Sequence, residues 1–390
     1  VQKMTNKITG IVAEWNPFHR GHETMLQKLK ENNPDMSIFG VMSGSFVQRG
    51  EPALFDPWTR AKWAVKAGVD AVFELPVLAS LQSADRFAEE GARLLFSLGC
   101  GTIYFGTESL EAEELKEAAS YGLTEAWRDW LHQFLKDGLS YAQASAEAMR
   151  IYSPHLSEEL TKPNNLLGYR YATAILSHQW PMAIHVFHRD MEHNISATTA
   201  RKELLENGTA SLLPLGANEE AEELMEEGRF TDFHRYEEAC LLTSRLLDEK
   251  ALSSTGLFTE GLEHKWFRES QRVSYKDMLD HIKSKRYLYS RLKRIGAQLL
   301  IGGTGPSPFT SREIPSYARL LALRKEQSRL LNDIPIPVIT SMAKALRTLP
   351  PTITASLLLD IEASDIRSWC LHEENFRAAR QEYYKSPMVL

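Results

Sequence analysis

The chain reads as an α/β protein with a doubly wound parallel sheet over residues 1–205 and a mainly helical domain over residues 206–390. Three observations predict this: strand-like and amphipathic runs alternate through the first two hundred residues, the texture then turns to long charged helical stretches, and 390 residues at roughly 150 per domain suit two or three units. The candidate strands are Ile8–Ala13, Ser37–Met42, Ala71–Leu75, Thr102–Phe105 and Ala183–Phe187. Between them Glu23–Glu31, Trp58–Ala67, Asp85–Ser97, Glu111–Tyr121 and Asn165–Ser177 place apolar residues at three- and four-residue spacing, as helices require. Right-handed crossovers between such strands open a ligand crevice beyond their carboxyl ends. In the second half Glu219–Glu227, Tyr236–Asp248, Ser274–Leu300 and Tyr317–Leu331 read as helical, and Ile336–Thr340 as an isolated strand or connector.

Composition narrows the class. With 43% hydrophobic and 25% charged residues the chain is an ordinary globular one, neither disordered nor low in complexity. Forty-five basic against 51 acidic side chains give a net charge of −6, so any contact with RNA or phosphate must come from a local patch. The apolar run Ala71–Leu81 is broken by Glu74 and Pro76 and falls short of the roughly 18 residues that span a bilayer. No membrane segment is expected, and the opening residues lack the apolar core of a secretory signal. Cys100, Cys240 and Cys370 are odd in number and far apart, which suits reduced cytosolic thiols and offers no zinc site. The loop Gly302–Pro308 completes no phosphate-binding motif, and its two prolines remove donors such a cradle needs.

The sharpest local signal is the run Glu14-Trp15-Asn16-Pro17-Phe18-His19-Arg20-Gly21-His22, set between the first strand and the first helix. A helix N-terminus there offers unpaired N–H groups to a polyphosphate. His19 and His22, three apart, fall on one helical face, and each can donate to oxygens that gain negative charge as pyrophosphate leaves. Gly21 lets a flat base approach the backbone. Two rival readings are half a metal site, which lacks a third ligand nearby although a remote His or Glu could supply it, and two surface histidines with no role. A second run, Ile195-Ser196-Ala197-Thr198-Thr199-Ala200-Arg201, follows the last strand and opens another helix. Ser196 and Thr198 bring hydroxyls, and Arg201 brings a guanidinium able to clamp the outer phosphates. Alone it reads as a Ser/Thr helix cap.

Together these runs match the T/H-x-G-H and I-S-x-T-x-x-R signatures of the Rossmann-like nucleotidylyltransferase superfamily, in the same order. The intervening Met42–Pro52, Phe73-Glu74-Leu75-Pro76, Ser83–Ala88, Phe105-Gly106-Thr107-Glu108 and Lys162–Tyr169 closely resemble the bacterial tRNA(Met) cytidine acetate ligase family. The resemblance continues through Thr259–His264 and Lys283–Tyr287 and so covers nearly the whole chain. It implies a cytoplasmic enzyme that makes acetyl-adenylate and pyrophosphate from ATP and acetate. The acetyl group then passes to the wobble cytidine of elongator tRNA(Met), giving N(4)-acetylcytidine. ATP is implied as a substrate carried as its Mg²⁺ complex, with no tightly bound cofactor.

By the same resemblance His19 and His22 are the catalytic pair. The ATP-binding set is Val12, Ala13, Glu14, Asn16, Pro17, Phe18, His19, Gly21, His22, Met25, Gly106, Asn164, Arg189, Ser196, Thr198 and Arg201. Asn164 stands where an N-cap for the following helix is expected. Gln48, Arg49 and Glu51 lie in the loop after the second strand, at the edge that can close over substrate, with roles left open. The sequence departs from the family pattern at Trp15, usually tyrosine, at Arg20, usually small and polar, and at Ala200, usually a bulky aliphatic, which is expected to loosen the second phosphate helix.

One basic run remains. Lys283, Lys285, Arg286, Arg291, Lys293 and Arg294 put six cations and no carboxylate in twelve residues of an acidic chain. They are the expected tRNA contacts, with Arg286, Lys293 and Arg294 on similar sides if the run is one helix. Two other functions fit part of the pattern: an adenylyltransferase of cofactor biosynthesis, which would not need so long a helical half, and a non-catalytic RNA-binding protein, which would not need His19, Gly21, His22 and Arg201.

Overall fold

A computed structural model describes residues 5–139, 141–188, 195–284 and 286–390. The strands among these residues are β1 (Thr5–Ala13), β2 (Ser37–Ser43), β3 (Phe46–Val47), β4 (Glu51–Pro52), β5 (Ala71–Leu75), β6 (Cys100–Thr107), β7 (Ala183–His188), β8 (Ala318–Leu323), β9 (Val338–Ile339) and β10 (Met388–Val389). The main sheet runs β10-β8-β5-β2-β1-β6-β7, with β9 beside β8, while β3 and β4 form a separate hairpin. Strands β5, β2, β1, β6 and β7 are mutually parallel, as the alternating pattern predicts. All five lie where the sequence puts them, within three residues at either end.

The second half departs from expectation. Tyr317–Leu331, read as a helix, is strand β8 followed by a 3₁₀ segment at Lys325–Asp333. All six residues of β8 are buried, because it runs antiparallel to β5 with β10 on its other side. A short apolar run buried on both faces carries no period of two, so its leucines and alanines mimic a helix. The Ile336–Thr340 connector supplies β9, which pairs with β8 and is therefore not isolated. The helix expected over Ser274–Leu300 is two, Tyr275–Ile282 and Tyr289–Gly302, with Lys283 and Leu288 in extended backbone at the facing ends. Residues on both sides of position 205 share the sheet and its two main cores; one joins Ile11, Leu26 and Leu29 to Leu204, Leu213 and Leu321.

Where β8 meets β5, Arg319 is buried between Glu74 and Glu382. Beside them Asp360, on the helix Pro351–Trp369, accepts from the Val77 N–H at 2.8 Å and from the Tyr317 hydroxyl at 2.7 Å. Burial, reinforced by the neighbouring Glu74, raises its pKa from 3.8 to about 7. A carboxyl whose folded pKa lies above its unfolded one contributes stability that is complete below pH 3.8 and lost as pH rises through 7. Asp360→Asn keeps an acceptor for Val77 and removes the charge. It should be more stable than the parent at pH 7.5 by roughly 1–3 kcal/mol, with the gap closing near pH 4. Thermal unfolding of both proteins across that range checks this, and an equal gap at both ends would exclude Asp360 as the titrating group.

Candidate active site

His19 sits at the carboxyl side of β1 as the N-cap of the helix Arg20–Asn32. Its Nδ1 accepts from the Gly21 N–H at 3.1 Å, and the Nδ1 of His22 accepts from the His19 N–H at 3.2 Å. The two histidines thus form a capping box, with imidazoles in the places usually taken by a hydroxyl and a carboxylate. A nitrogen that accepts carries no proton, so this geometry assigns both rings as neutral Nε2–H tautomers. The rings stack at 3.7 Å, which aligns two N–H donors without requiring adjacent positive charges. A Cβ on Gly21 would lie 3.0 Å from the His19 ring, so a larger residue would push that imidazole aside.

The loop before the helix is held from both halves of the chain. Trp15 is in the left-handed region at φ +42°, a costly conformation for a bulky residue, and is offset by near-total burial and an edge-to-face contact with Phe18 at 5.7 Å. The Asn16–Pro17 peptide is cis. Asn16 accepts from the Leu54 N–H at 2.8 Å, and the carbonyls of Ala53 and Leu54 accept from Arg367, each at 3.0 Å. Arg60, fully buried, donates to the carbonyls of Phe55 at 3.1 Å and Glu14 at 2.6 Å and to that of Gly44. Burial pushes the Arg60 pKa down to about 9, and the three carbonyls give its charge fixed partners. Nothing in the local pattern around Arg60 or Arg367 marked them out, because all their partners but the Phe55 carbonyl are loop carbonyls remote in sequence.

The second run comes to the same place. Ser196 caps the helix Ala197–Asn207, accepting from the Thr199 N–H at 3.0 Å, and Thr198 is exposed beside it. Arg201 donates to the Asn16 carbonyl at 2.5 Å, joining this helix to the first loop. Burial lowers the Arg201 pKa, so the guanidinium is held in a drier setting where its pull on an anion is strengthened. Ala200 is buried in the core shared by both helices, in one cluster with Leu26, Leu29 and Leu204. Glu14 accepts from the Gln48 N–H at 2.8 Å, and burial raises its pKa.

The other expected residues divide. Val12 and Ala13 end β1, with Val12 packed under Gly91. Phe18 and Met25 are buried in the core, Phe18 meeting His22 at 5.4 Å. Gly106 is near the end of β6, paired with Phe187. Asn164 is not the helix cap: Lys162 is, with Pro163 preset in the first turn, and the Asn164 amide donates to Glu108 at 2.6 Å. Glu108 also takes the Asn164 and Asn165 N–H groups, a capping role supplied from another segment. Arg189 and Lys285 lie outside the described residues. Arg286, in the turn before Tyr289–Gly302, pairs with Glu260 at 2.5 Å. It therefore shares no helix face with Lys293 and Arg294, and Arg294 is itself half-buried, with burial first and Arg291 and Arg170 next lowering its pKa to about 10. Among the described residues no group of three or more His, Cys, Asp or Glu could hold a metal ion, and no helix is long and apolar enough to cross a membrane.

The sequence model of the family described as HIGH Nucleotidyl Transferase matches residues 6–382. Tighter relationships follow from individual relatives. The tRNA(Met) cytidine acetate ligase of Listeria welshimeri is 34% identical over 95% of this chain and 96% of its own length, and that of a Geobacillus strain is 33% identical over 86% and 89%. The chain belongs to the tRNA(Met) cytidine acetate ligase family. As a member of that family it is a ligase. The solved structure of Thermotoga maritima TmcAL bound with alpha-thio ATP is 29% identical and superposes with a TM-score of 0.89 over 98% of this chain and 99% of that one. An apo crystal form of the same protein gives 0.90 at 27% identity. The family match spans both halves, so the helical segments after residue 205 belong to the ligase architecture.

Proposed function

We propose that the protein activates acetate with ATP and passes the acetyl group to the wobble cytidine of elongator tRNA(Met). An acetate oxygen attacks the α-phosphorus of ATP, held as its magnesium complex, and pyrophosphate leaves. The N4 amine of the cytidine then attacks the acetyl carbonyl, a proton is lost, and N(4)-acetylcytidine and AMP are formed. The observation that carries this reading is the stacked His19–His22 pair at a helix N-terminus, tied through Asn16 to Arg201 of the second run. Two neutral Nε2–H donors stabilise the charge that grows on the leaving pyrophosphate, and Arg201 neutralises its outer oxygens. No side chain needs to act as a nucleophile, since binding and alignment bring acetate and ATP together. We place the reaction in the cytoplasm.

The test is nucleoside mass spectrometry of tRNA incubated with the protein, ATP and isotopically labelled acetate, beside an ATP–pyrophosphate exchange assay with and without acetate. Labelled N(4)-acetylcytidine at the wobble position and exchange that depends on acetate are expected. Exchange that ignores acetate would favour a cofactor adenylyltransferase, and no exchange at all would favour a non-catalytic RNA-binding protein.

Of the basic run Lys283–Arg294, Lys283 and Arg286 are the exposed cations among the described residues and stand in this reading as the tRNA contacts, whereas Arg291, Lys293 and Arg294 are partly buried. Reversing charge at both, Lys283→Glu with Arg286→Glu, should weaken tRNA binding and lower its log–log salt slope by about two, roughly one for each phosphate left without its cation. Exchange without tRNA should be untouched. An unchanged slope in a folded double variant places the RNA elsewhere.

A further inference from the structure

Lys293 does not present a free charge to solvent. Its Nζ donates to Glu51 Oε2 at 3.0 Å, while Glu51 Oε1 faces Arg201 Nη2 at 3.9 Å. All three side chains are largely withdrawn from water, at 28%, 15% and 14% exposure, so solvent screens this chain of charges weakly. Three segments meet here: the helix Tyr289–Gly302, the hairpin strand β4 and the helix Ala197–Asn207 that carries the second phosphate run.

The backbone fixes the meeting. Gly50, at φ +76°, lies against the helix so closely that a Cβ would overlap the backbone of Lys293 and Arg294. The Tyr236 hydroxyl donates to the Gly50 carbonyl at 2.8 Å from a further helix, Phe233–Leu246. Glu51 is therefore held in register with Lys293 by main-chain packing as well as by charge.

We propose that Lys293 and Glu51 are positioning residues of the nucleotide site, through which the helix Tyr289–Gly302 acts on ATP before any RNA is bound. The proposal rests on Arg201 being a phosphate ligand. Lys293 shares the Glu51 carboxylate and keeps it at ion-pair distance from Arg201, short of direct hydrogen bonding. Glu51 in turn steadies a guanidinium whose other hold among the described residues is the Asn16 carbonyl. Without Lys293 the carboxylate keeps Arg201 as its cation among the described residues and closes on it, and Arg201 is then occupied by an internal anion that competes with the triphosphate. Without the Glu51 charge that competition disappears, but the guanidinium loses a guide.

The two single variants should therefore behave differently. Lys293→Met should raise the calorimetric Kd for ATP by about tenfold, the scale expected when an internal anion takes over a charge-assisted hydrogen bond that the triphosphate would otherwise make. Glu51→Gln should leave the Kd no weaker and lower kcat of acetate-dependent exchange. In the Lys293→Met/Glu51→Gln double variant ATP affinity should return to within about threefold of the parent, the non-additivity expected of residues in direct contact. Lys293→Arg should retain tight ATP binding.

Affinity for tRNA and its salt slope should change little in Lys293→Met. An unchanged ATP Kd combined with weakened tRNA binding would make Lys293 a plain RNA contact and overturn the proposal. Failure of Glu51→Gln to restore ATP binding in the double variant would overturn it too, since a merely damaged fold is not repaired by removing a second charge. The Kd readout needs neither acetate nor tRNA. A parent protein that binds ATP but shows no acetate-dependent exchange would defeat the functional reading and leave the positioning test intact.

Discussion

Replacing His22 with glutamine, or His19 with asparagine, should slow acetate-dependent pyrophosphate exchange by about two to three orders of magnitude, the usual consequence of removing one preorganised donor from a developing charge. These substitutions are chosen because each histidine also caps the helix. Asparagine is a good N-cap and glutamine a good partner three residues on, so both preserve acceptors for the Gly21 and His19 N–H groups. Alanine would confound the result, since losing an N-cap alone costs about 1 kcal/mol. The melting temperature should move little in the conservative variants while kcat falls. Near-parental exchange in both would remove the histidines from the chemistry.

The second large effect concerns a residue that touches no substrate in this reading. Arg60→Met should destabilise the protein by roughly 3–5 kcal/mol in equilibrium urea unfolding, because three loop carbonyls lose a charged donor and two of them lie where water does not replace it. Weakened ATP binding should accompany this, since the Glu14 and Gly44 carbonyls anchor the first loop and the following hairpin. Arg60→Lys keeps the charge without the planar fork and should recover only part of the loss. A methionine variant within about 1 kcal/mol of the parent would mean that the loop carbonyls find other partners at little cost.

How far the sequence reaches depends on whether a signal is local. The strands β1, β2, β5, β6 and β7 and their helices were legible because each carries its own period and ends at its own cap or turn. The run Glu14–His22 was legible as a candidate site because a strand, a loop and a helix N-terminus follow one another directly along the chain. Ser196 as a cap was legible for the same reason. Lys162, Asn164 and Glu108 were not, because the carboxylate that closes that helix end comes from a turn more than fifty residues earlier. The break in the single helix expected over the basic run was not legible either: Lys283, Ser284 and Arg286–Leu288 are not helical, and Arg286 and Lys293 are engaged in ion pairs with carboxylates from other segments.

By itself, then, the sequence determined a parallel α/β sheet, a helix directly behind its first strand and the histidine run, a Ser196-capped helix behind its last parallel strand, and through the resemblance of its motifs the ligase family. Only the tertiary structure decided that β8, β9 and β10 return from the second half to extend that sheet. It alone decided that Arg60 and Arg367 hold the first loop by its carbonyls, and that Glu51 stands between Arg201 and Lys293. The physical reason is the range of the interactions. Periodicity, capping and backbone preference act over a few residues and are written in neighbouring letters. Buried ion pairs and donors to loop carbonyls join groups up to some three hundred positions apart, and their partners exist only once burial has brought those segments together.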